Sequence, residues 1–313
     1  MTAGMVAMTG ASGFVGGHIA HELIAQGWRV SALVRRRDAT LPGGVVPVAG
    51  DLGDSPSLTE LVTGADAVIH CAGVVGAVDR SGFQAVNVGG TARLAAAATG
   101  LERPPRFIQM SSLAAREPAL SAYGASKRDG EQALLHHGER LDWTILRPAA
   151  VYGPGDRTTL AFFKQWRSGF MVVPAGGGQR LSLIHGTDLA AAVVALLASG
   201  AGVGAIFEVG DRHPVGYSWH EVAAAGGRAL GRRVTCVPVP YAVLLAAAAA
   251  SAAAYGLIGR TPMVTPGKVR ELYHPDWVCD GHALAAATGW SPTVTMEEGF
   301  ITTAAWYREH GWL

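Results

Sequence analysis

The sequence has no excess of charge of either sign. Its 313 residues include 25 Lys and Arg and 24 Asp and Glu, which gives a formal net charge of +1. Proteins that bind nucleic acid concentrate positive charge, so we expect no nucleic-acid partner. Charged residues are also few, at 16% against 49% hydrophobic residues. That balance excludes a disordered chain and predicts a globular protein with a large core.

Cysteine is scarce as well. Cys71, Cys236 and Cys279 lie far apart, and no C-x-x-C pair occurs. This spacing predicts neither a metal site nor a disulfide framework. Scattered cysteines are typical of a reducing compartment, so we expect a cytoplasmic protein.

Segments that would direct the chain into a membrane are also missing. Residues 1–8 contain neither a basic n-region nor a long apolar h-region, so we expect no signal peptide. Residues 241–259 are uncharged and long enough to span a bilayer, but they are mostly Ala. Ala favours a helix and gains little from lipid. We therefore predict a helix over residues 241–258 that packs against the protein, and no membrane partner.

Strand-like and helix-like segments alternate through the first half of the chain. The strand-like segments are residues 5–8, 29–34, 45–48, 67–70, 106–110 and 143–147, and the helix-like segments are residues 16–26, 58–62, 83–98 and 123–136. This alternation predicts an α/β fold, a Rossmann-type doubly wound parallel sheet. We expect residues 1–148 to form the dinucleotide-binding domain. Residues 149–313 would then form mainly a smaller C-terminal substrate-binding lobe, with a helix near residues 186–199 that returns to the first domain.

A glycine-rich turn follows the first predicted strand. Gly10, Gly13 and Gly16 have the spacing G-x-x-G-x-x-G and stand where a strand passes into a helix. The first glycine permits a tight turn, the second lets backbone approach a pyrophosphate, and the third lets the helix pack close to the sheet. The free N–H groups of the helix N-terminus attract phosphate. We therefore predict a dinucleotide site that includes Gly10, Ser12, Gly13, Phe14, Val15 and Gly16.

The end of the second strand bears on which dinucleotide is bound. NAD sites usually carry an acidic residue there, which binds the ribose 2′-OH. This strand instead runs into Arg35, Arg36 and Arg37, with Asp38 after them. Guanidinium groups suit a 2′-phosphate by charge and geometry. Arg35 and Arg36 therefore favour NADP(H), and NAD(H) stays possible.

Two further strand ends belong to the predicted cofactor site. Asp51 and Leu52 follow the third strand and would hold the adenine ring. Cys71, Ala72 and Gly73 follow the fourth strand and leave small residues where the backbone must pass the cofactor. The neighbouring His70 is interpreted as a packed histidine and not as a catalyst.

A candidate catalytic set follows the fifth strand. Ser111 and Ser112 end that strand, and Tyr123 and Lys127 come eleven and fifteen residues after Ser112. Residues four apart share one face of a helix. A nearby ammonium lowers the pKa of a phenol, which can then exchange a proton with an alcohol or alkoxide. A serine hydroxyl beside it would hold the substrate oxygen.

Together these motifs make the chain resemble the extended, or atypical, short-chain dehydrogenase/reductase family of the NAD-dependent epimerase/dehydratase type. The resemblance covers nearly the whole chain and rests on residues 9–16, 51–52, 86–91, 111–112, 123–127, 147–155 and 185–188. It implies that Tyr123 is the acid/base, that Lys127 binds the nicotinamide ribose and tunes Tyr123, that Ser112 positions the substrate, and that Asn87 supports the site. It also implies that Pro148 and Val151 line the nicotinamide, that Ser111 belongs to the cofactor site, and that a homodimer forms through the helices carrying Asn87 and Tyr123.

The sequence departs from the sugar-nucleotide epimerases of this family. The stretch from Ser112 to Tyr123 is short, which removes part of their substrate site, and the arginine-rich strand end is similar to NADP-using reductases. The favoured hypothesis is an NADP(H)-dependent carbonyl reductase or secondary alcohol dehydrogenase that acts on a small, apolar molecule. A sugar epimerase/dehydratase is one alternative. The other is a non-catalytic nucleotide-binding accessory protein related to a complex I subunit, which the run after Ser112 resembles.

The second half identifies no substrate. Its aromatic residues could wall an apolar pocket or fill a core; they are Phe162, Phe163, Trp166, Phe170, Trp219, Tyr241 and Tyr255. Cations that could clamp a diphosphate are few, with Arg180, Arg212 and Arg260 as candidates.

Overall fold

Seven parallel strands form the central sheet of the computed structural model, which describes residues 4–36, 38–76, 80–211, 213–257 and 264–313. The strands, numbered along the chain with those of the smaller sheets, are β1 Met5–Thr9, β2 Arg29–Val34, β3 Val45–Ala49, β4 Ala67–His70, β5 Arg106–Met110, β6 Trp143–Pro148, β7 Ala150–Tyr152, β8 Phe170–Pro174, β9 Arg180–Leu181, β10 Leu183–His185, β11 Ala205–Val209, β12 Thr235–Val239 and β13 Asp276–Trp277. The central sheet has the order β11-β6-β5-β4-β1-β2-β3. The predicted Rossmann-type α/β fold is confirmed.

Helices cover both faces of this sheet. They are α1 Phe14–Ala25, α2 Ser55–Val62, α3 Arg80–Phe83, α4 Gly89–Thr99, α5 Ala122–Leu135, α6 Leu160–Arg167, α7 Gly186–Ser199, α8 Trp219–Leu230, α9 Tyr241–Leu257, α10 Pro266–Tyr273, α11 His282–Thr288 and α12 Met296–Glu309. Ile19 of α1 and Val193 of α7 are buried in the core on one face. Leu58 of α2, Leu94 of α4 and Leu134 of α5 are buried on the other.

The strand order reverses next to β1. The chain runs outward from β1 to β2 and β3, then returns to β4 on the other side of β1. Parallel α/β sheets bind ligands at such a reversal, beyond the carboxyl ends of the strands. The residues after β1 and β4 therefore border the crevice where a cofactor is expected.

A second core lies in the C-terminal half. Phe163 and Trp166 of α6 pack against Phe300 of α12, with ring centroids 5.7 and 4.9 Å apart from it. Both α6 residues are fully buried, so they fill a core and do not wall a pocket. Phe170, Tyr241 and Tyr255, by contrast, are exposed.

Several elements differ from the sequence expectation, and two of them bear on the central sheet and the site. The single helix predicted over residues 83–98 is interrupted by a π-helical turn at Gln84–Val88, because the backbone widens there and carries Asn87 toward the loop after β4. The strand β11 was not predicted; its alternating exposed and buried residues complete the sheet beside β6.

The uncharged helix α9 packs against α10, where the rings of Tyr241 and Tyr273 lie 5.2 Å apart. Most of its surface remains exposed, and Ala248 is its buried residue among those described. Nowhere in the described ranges is a helix both long and apolar enough to cross a membrane.

Two helical glycines provide a test of the packing in the C-terminal half. A Cβ added at Gly226 of α8 would lie 2.2 Å from the Trp166 ring, whereas one added at Gly256 of α9 would meet nothing within 4 Å. We expect Gly226→Ala to lower the free energy of unfolding by about 1–3 kcal/mol through overpacking. The matched change Gly256→Ala should raise it by up to about 1 kcal/mol, because Ala restricts the unfolded chain. Urea denaturation measures both, and equal effects would contradict the packing described for Trp166.

Candidate active site

The glycine turn brings the ends of β1 and β4 into close contact. Gly10 has φ +78°, and a Cβ there would lie 2.6 Å from the backbone nitrogen of Ala72. A Cβ on Gly16 would lie 2.2 Å from the Gly10 carbonyl oxygen, so α1 starts directly against the turn. Gly13 is the N-cap of α1 and offers no side-chain cap to the first N–H groups. The turn is therefore a backbone cradle open to an anion, the type of site a pyrophosphate requires.

The loop after β4 is held by Asn87. Its side-chain oxygen accepts from the Val74 N–H at 2.9 Å, and its amide donates to the Val74 carbonyl at 3.1 Å and to the Ser126 hydroxyl at 2.9 Å. The Asn87 side chain thus bonds both backbone groups of Val74, as a neighbouring strand would, and it joins the loop after β4 to α5. The same loop contains Gly73, where a Cβ would lie 3.8 Å from the Lys127 Nζ.

Ser112, Tyr123 and Lys127 converge beyond the ends of β4 and β5. Ser112 starts a 3₁₀ turn at Leu113–Arg116 and accepts from the Ala114 N–H at 3.2 Å. Lys127 donates from Nζ to the carbonyl of Met110 at 2.6 Å, which holds the ammonium against the end of β5. The Ser112 hydroxyl faces the phenol of Tyr123 closely enough to interact with it. A proton donor, a hydroxyl and an ammonium thus share one edge of the sheet.

Burial decides the protonation of these groups. It raises the pKa of Tyr123, an effect that the Ser112 hydroxyl opposes and that the Glu271 carboxylate reinforces. It lowers the pKa of Lys127 to about 8, an effect that the Glu131 carboxylate opposes. The sequence predicted that Lys127 lowers the pKa of Tyr123. In the structure, desolvation of the phenol is the largest cause and raises its pKa; the effect predicted for Lys127 together with an oxidised nicotinamide stays a prediction.

A buried ion pair lies one turn beyond Lys127, and sequence reasoning missed it. Arg147 of β6 donates from Nε to Glu131 Oε1 at 2.8 Å and from Nη2 to Oε2 at 2.6 Å. Ser111 donates to the same carboxylate at 2.5 Å, so its hydroxyl serves this pair. Only the arginine carried a sequence signal, as part of the Arg-Pro at the end of the sixth predicted strand.

The predicted adenosine side of the site is more open. Arg35 is exposed, and within the described ranges it forms no ion pair. Arg36 is engaged by Asp38, with Nη2–Oδ2 at 2.8 Å, and Arg37 lies outside the described residues. Asp51 accepts from the Gly53 N–H at 2.6 Å. Leu52 packs against α4, where a Cβ added at Gly90 would lie 2.7 Å from the Leu52 Cδ1.

The remaining predicted positions sit around the crevice. Ser12, Phe14 and Val15 form the exposed to half-buried surface of the glycine turn. Pro148 ends β6, and Val151 pairs with Ile184 in the short sheet of β7 and β10. Burial raises the pKa of the half-buried Cys71 to about 12, so its thiol stays protonated.

His70 is enclosed by two threonine hydroxyls, as expected of a packed histidine. Its Nδ1 lies 2.7 Å from Thr9 Oγ1 and its Nε2 lies 3.0 Å from Thr91 Oγ1. Burial, helped by the charge of Lys127, lowers its pKa to about 3, so the imidazole is neutral at physiological pH.

Comparison with known proteins identifies the family of this chain. The model of the NAD dependent epimerase/dehydratase family matches residues 6–210. The chain belongs to this family. It is therefore an oxidoreductase-type enzyme of the extended short-chain dehydrogenase/reductase superfamily, and the resemblance noted in the sequence is confirmed.

Individual relatives differ in what they do. A ceramide reductase of Caulobacter vibrioides is 37% identical over 99% of this chain and 96% of its own length. A mitochondrial subunit 9 of the NADH dehydrogenase [ubiquinone] 1 alpha subcomplex, from Arabidopsis thaliana, is 29% identical over 68% of this chain and 55% of its own. Among solved structures, a UDP-glucuronic acid 4-epimerase of Bacillus cereus, in complex with UDP-glucuronic acid and NAD, superposes with a TM-score of 0.76. It is 19% identical and covers 98% of this chain and 99% of its own, which is a likeness of fold.

The buried pair offers a test of how α5 is anchored. Arg147→Met would remove the bidentate cation from the Glu131 carboxylate, which is 1% exposed, and leave Arg128 at 3.9 Å as its nearest cation among the described residues. We expect a loss of about 3–5 kcal/mol in the free energy of unfolding, and recovery of much of it in the double variant Glu131→Leu/Arg147→Met. Arg228→Met, which removes the exposed pair with Glu297, should cost less than about 1 kcal/mol. Urea denaturation decides, and additive losses in the double variant would refute the coupling.

Proposed function

We propose that this protein is an NADP(H)-dependent carbonyl reductase, or secondary alcohol dehydrogenase, that acts on an apolar, lipid-class ketone. The observation that carries the proposal is the convergence of Ser112, Tyr123 and Lys127 beyond the ends of β4 and β5, next to the glycine turn. A phenol that stays protonated at neutral pH is suited to give a proton to a forming alkoxide, which is the direction of reduction.

The roles of the side chains follow from their chemistry. Ser112 would hold the substrate oxygen next to the Tyr123 hydroxyl. Tyr123 would donate its proton to that oxygen as negative charge develops there. Lys127, fixed by Met110, would bind the sugar hydroxyls of the cofactor and supply positive charge near the phenolate left behind. Asn87 would keep the loop after β4 in place and so maintain the width of the crevice.

The residues present fit a dinucleotide. The backbone cradle at Gly10, Gly13 and Gly16 has no room for side chains on the first and third glycines, and the uncapped start of α1 faces outward. A bound reduced nicotinamide would supply the hydride that the ketone carbon accepts. The 2′-phosphate of NADP(H) would be recognised by Arg35, since Arg36 is already paired with Asp38.

Three observations support an apolar substrate. The relative of 37% identity is a ceramide reductase. Ceramides carry a secondary alcohol on a long alkyl chain, and the corresponding ketone is the reducible form. Of the three arginines that could clamp a sugar nucleotide, Arg180 is already paired with Glu221 at 3.0 Å, while Arg212 and Arg260 lie outside the described residues. Finally, the short stretch from Ser112 to Tyr123 removes a substrate-binding loop.

The second candidate is a sugar epimerase or dehydratase that returns the hydride to its own substrate. The family and the epimerase folds of similar shape favour it. It differs from the first candidate in consuming no net cofactor. The proposed homodimer through the helices of Asn87 and Tyr123 is compatible with both and stays a prediction.

Removing the phenol oxygen tests the proposed acid. We expect wild-type protein to consume NADPH in step with reduction of a detergent-dispersed long-chain keto amide. Tyr123→Phe should lower kcat by about 10²–10⁴-fold with an unchanged melting temperature, since general acids contribute that much. The exposed Tyr255→Phe is the matched control and should keep full activity. Turnover of a UDP-sugar without net NADPH loss would favour the epimerase instead.

Cofactor preference can be read from the two neighbouring arginines. Fluorescence titration should show tighter binding of NADPH than of NADH. Arg35→Ala should reduce that preference by about tenfold or more, the value of a charge-assisted bond to phosphate. Arg36→Ala should reduce it less, because its guanidinium is held by Asp38. Tighter binding of NADH to the wild type would refute the NADP assignment.

A further inference from the structure

The C-terminal half touches the catalytic helix at its first turn. Arg270 of α10 donates from Nε to the carbonyl of Leu120 at 2.8 Å. A Cβ on Gly267, at the start of α10, would lie 3.0 Å from the Cβ of Ser121. The helix α10 therefore presses on the two residues that precede α5, the helix that carries Tyr123.

Ser121 is shared between the two helices. As the N-cap of α5 its hydroxyl accepts from the Gly124 N–H at 2.9 Å, and it donates its own proton to Glu271 Oε1. Both side chains are buried, at 8% and 7% exposure. One hydroxyl thus ties the start of the catalytic helix to a carboxylate 150 residues further along the chain.

The Glu271 carboxylate is held at its other oxygen as well. Lys268 donates from Nζ to Oε2 at 2.9 Å, but the Lys268 side chain is 60% exposed. Solvent therefore screens the cation more than the anion. Desolvation is the largest cause of the raised pKa of the Tyr123 phenol, and Glu271 accordingly contributes to it.

We propose that Glu271 is a positioning residue for the reduction, which fixes the first turn of α5 through Ser121 and places its negative charge at the turn that carries Tyr123. The inference rests on the proposed role of Tyr123 as the acid. Glu271 itself would touch neither substrate nor cofactor, and it would act through Ser121 and through its charge.

The charges around Tyr123 are few enough to make the effect separable. Lys127 lies on the same helix as Tyr123, and Ser112 lies on the turn after β5. The helix α10 carries three charged residues, Lys268, Arg270 and Glu271. Cys71, from the loop after β4, and Glu131, on α5, act on Lys127. Among the described residues, Glu271 is the anion that acts on the phenol.

Two neighbouring substitutions should shift the protonation of Tyr123 in opposite directions. Glu271→Gln keeps an acceptor for Ser121 but removes the charge, so the alkaline limb of the pH profile of kcat should move to lower pH. Lys268→Gln leaves the carboxylate without its cation, so that limb should move to higher pH, by less because of solvent screening. The exposed Glu102→Gln is the control and should leave the profile unchanged. A structure that was merely loosened would not move the alkaline limb in opposite directions in Glu271→Gln and Lys268→Gln.

The positioning role has its own readout. Glu271→Asp keeps the charge but shortens the reach to Ser121. We expect an unshifted pH profile with kcat lowered about tenfold or more, because small misplacements of a catalytic group are costly. Loss of melting temperature in both Glu271 variants, with unshifted profiles and wild-type kcat, would overturn the proposal and leave Glu271 as a purely structural anchor.

A spectroscopic measurement separates this proposal from the proposed activity. In protein labelled with ¹³Cζ-tyrosine, the Tyr123 signal is identified by its loss in Tyr123→Phe. At a fixed alkaline pH the tyrosinate fraction should be larger in Glu271→Gln, and smaller in Lys268→Gln, than in the wild type. These shifts need no substrate, so they would stand even if no ketone is reduced. Identical fractions in all three proteins would refute the charge effect whether or not the enzyme is a reductase.

Discussion

The helix α5, which carries Tyr123 and Lys127, depends on one buried ion pair. Tyr123, Lys127 and Glu131 are four residues apart in turn, so they share one face of α5. The bidentate contact of Glu131 with Arg147 fixes that face against β6, which lies between β5 and the edge strand β11. A buried carboxylate is costly unless it is fully paired, and here a guanidinium and the Ser111 hydroxyl satisfy it. The pair therefore sets the rotation of α5 about its axis, which decides where Tyr123 and Lys127 point.

Rotation alone does not fix the position of a helix along its axis, and the opposite end of α5 supplies that constraint. Ser121 caps the helix and is bound by Glu271 of the C-terminal half. In the middle, Asn87 binds Ser126, and a Cβ on Gly130 would lie 2.5 Å from the Asn87 carbonyl oxygen. Contacts at the start, middle and end of α5 thus come from three different parts of the chain. Together they fix the position of Tyr123.

Local signals predicted much of this arrangement, and long-range contacts account for what they missed. The glycine turn at Gly10 and the alternation of strands and helices follow from backbone geometry and side-chain period, which a sequence displays directly. The partner of Arg147 could not be found that way, because Glu131 reads as one more charged residue on a helix. Glu271 is 150 residues from Ser121, and no local pattern joins them. The widened turn at Asn87 was hidden within an uninterrupted helical pattern.

The loop between Ser112 and Tyr123 is short, and residues of the C-terminal half contact it at both ends. Arg116, on that loop, donates to the carbonyl of Val278 at 2.8 Å, and its guanidinium lies 5.8 Å from the centre of the Trp277 ring. At the other end of the loop, Arg270 binds Leu120. Residues 270–278 therefore hold both ends of this loop, so the C-terminal half fixes the segment that joins Ser112 to Tyr123.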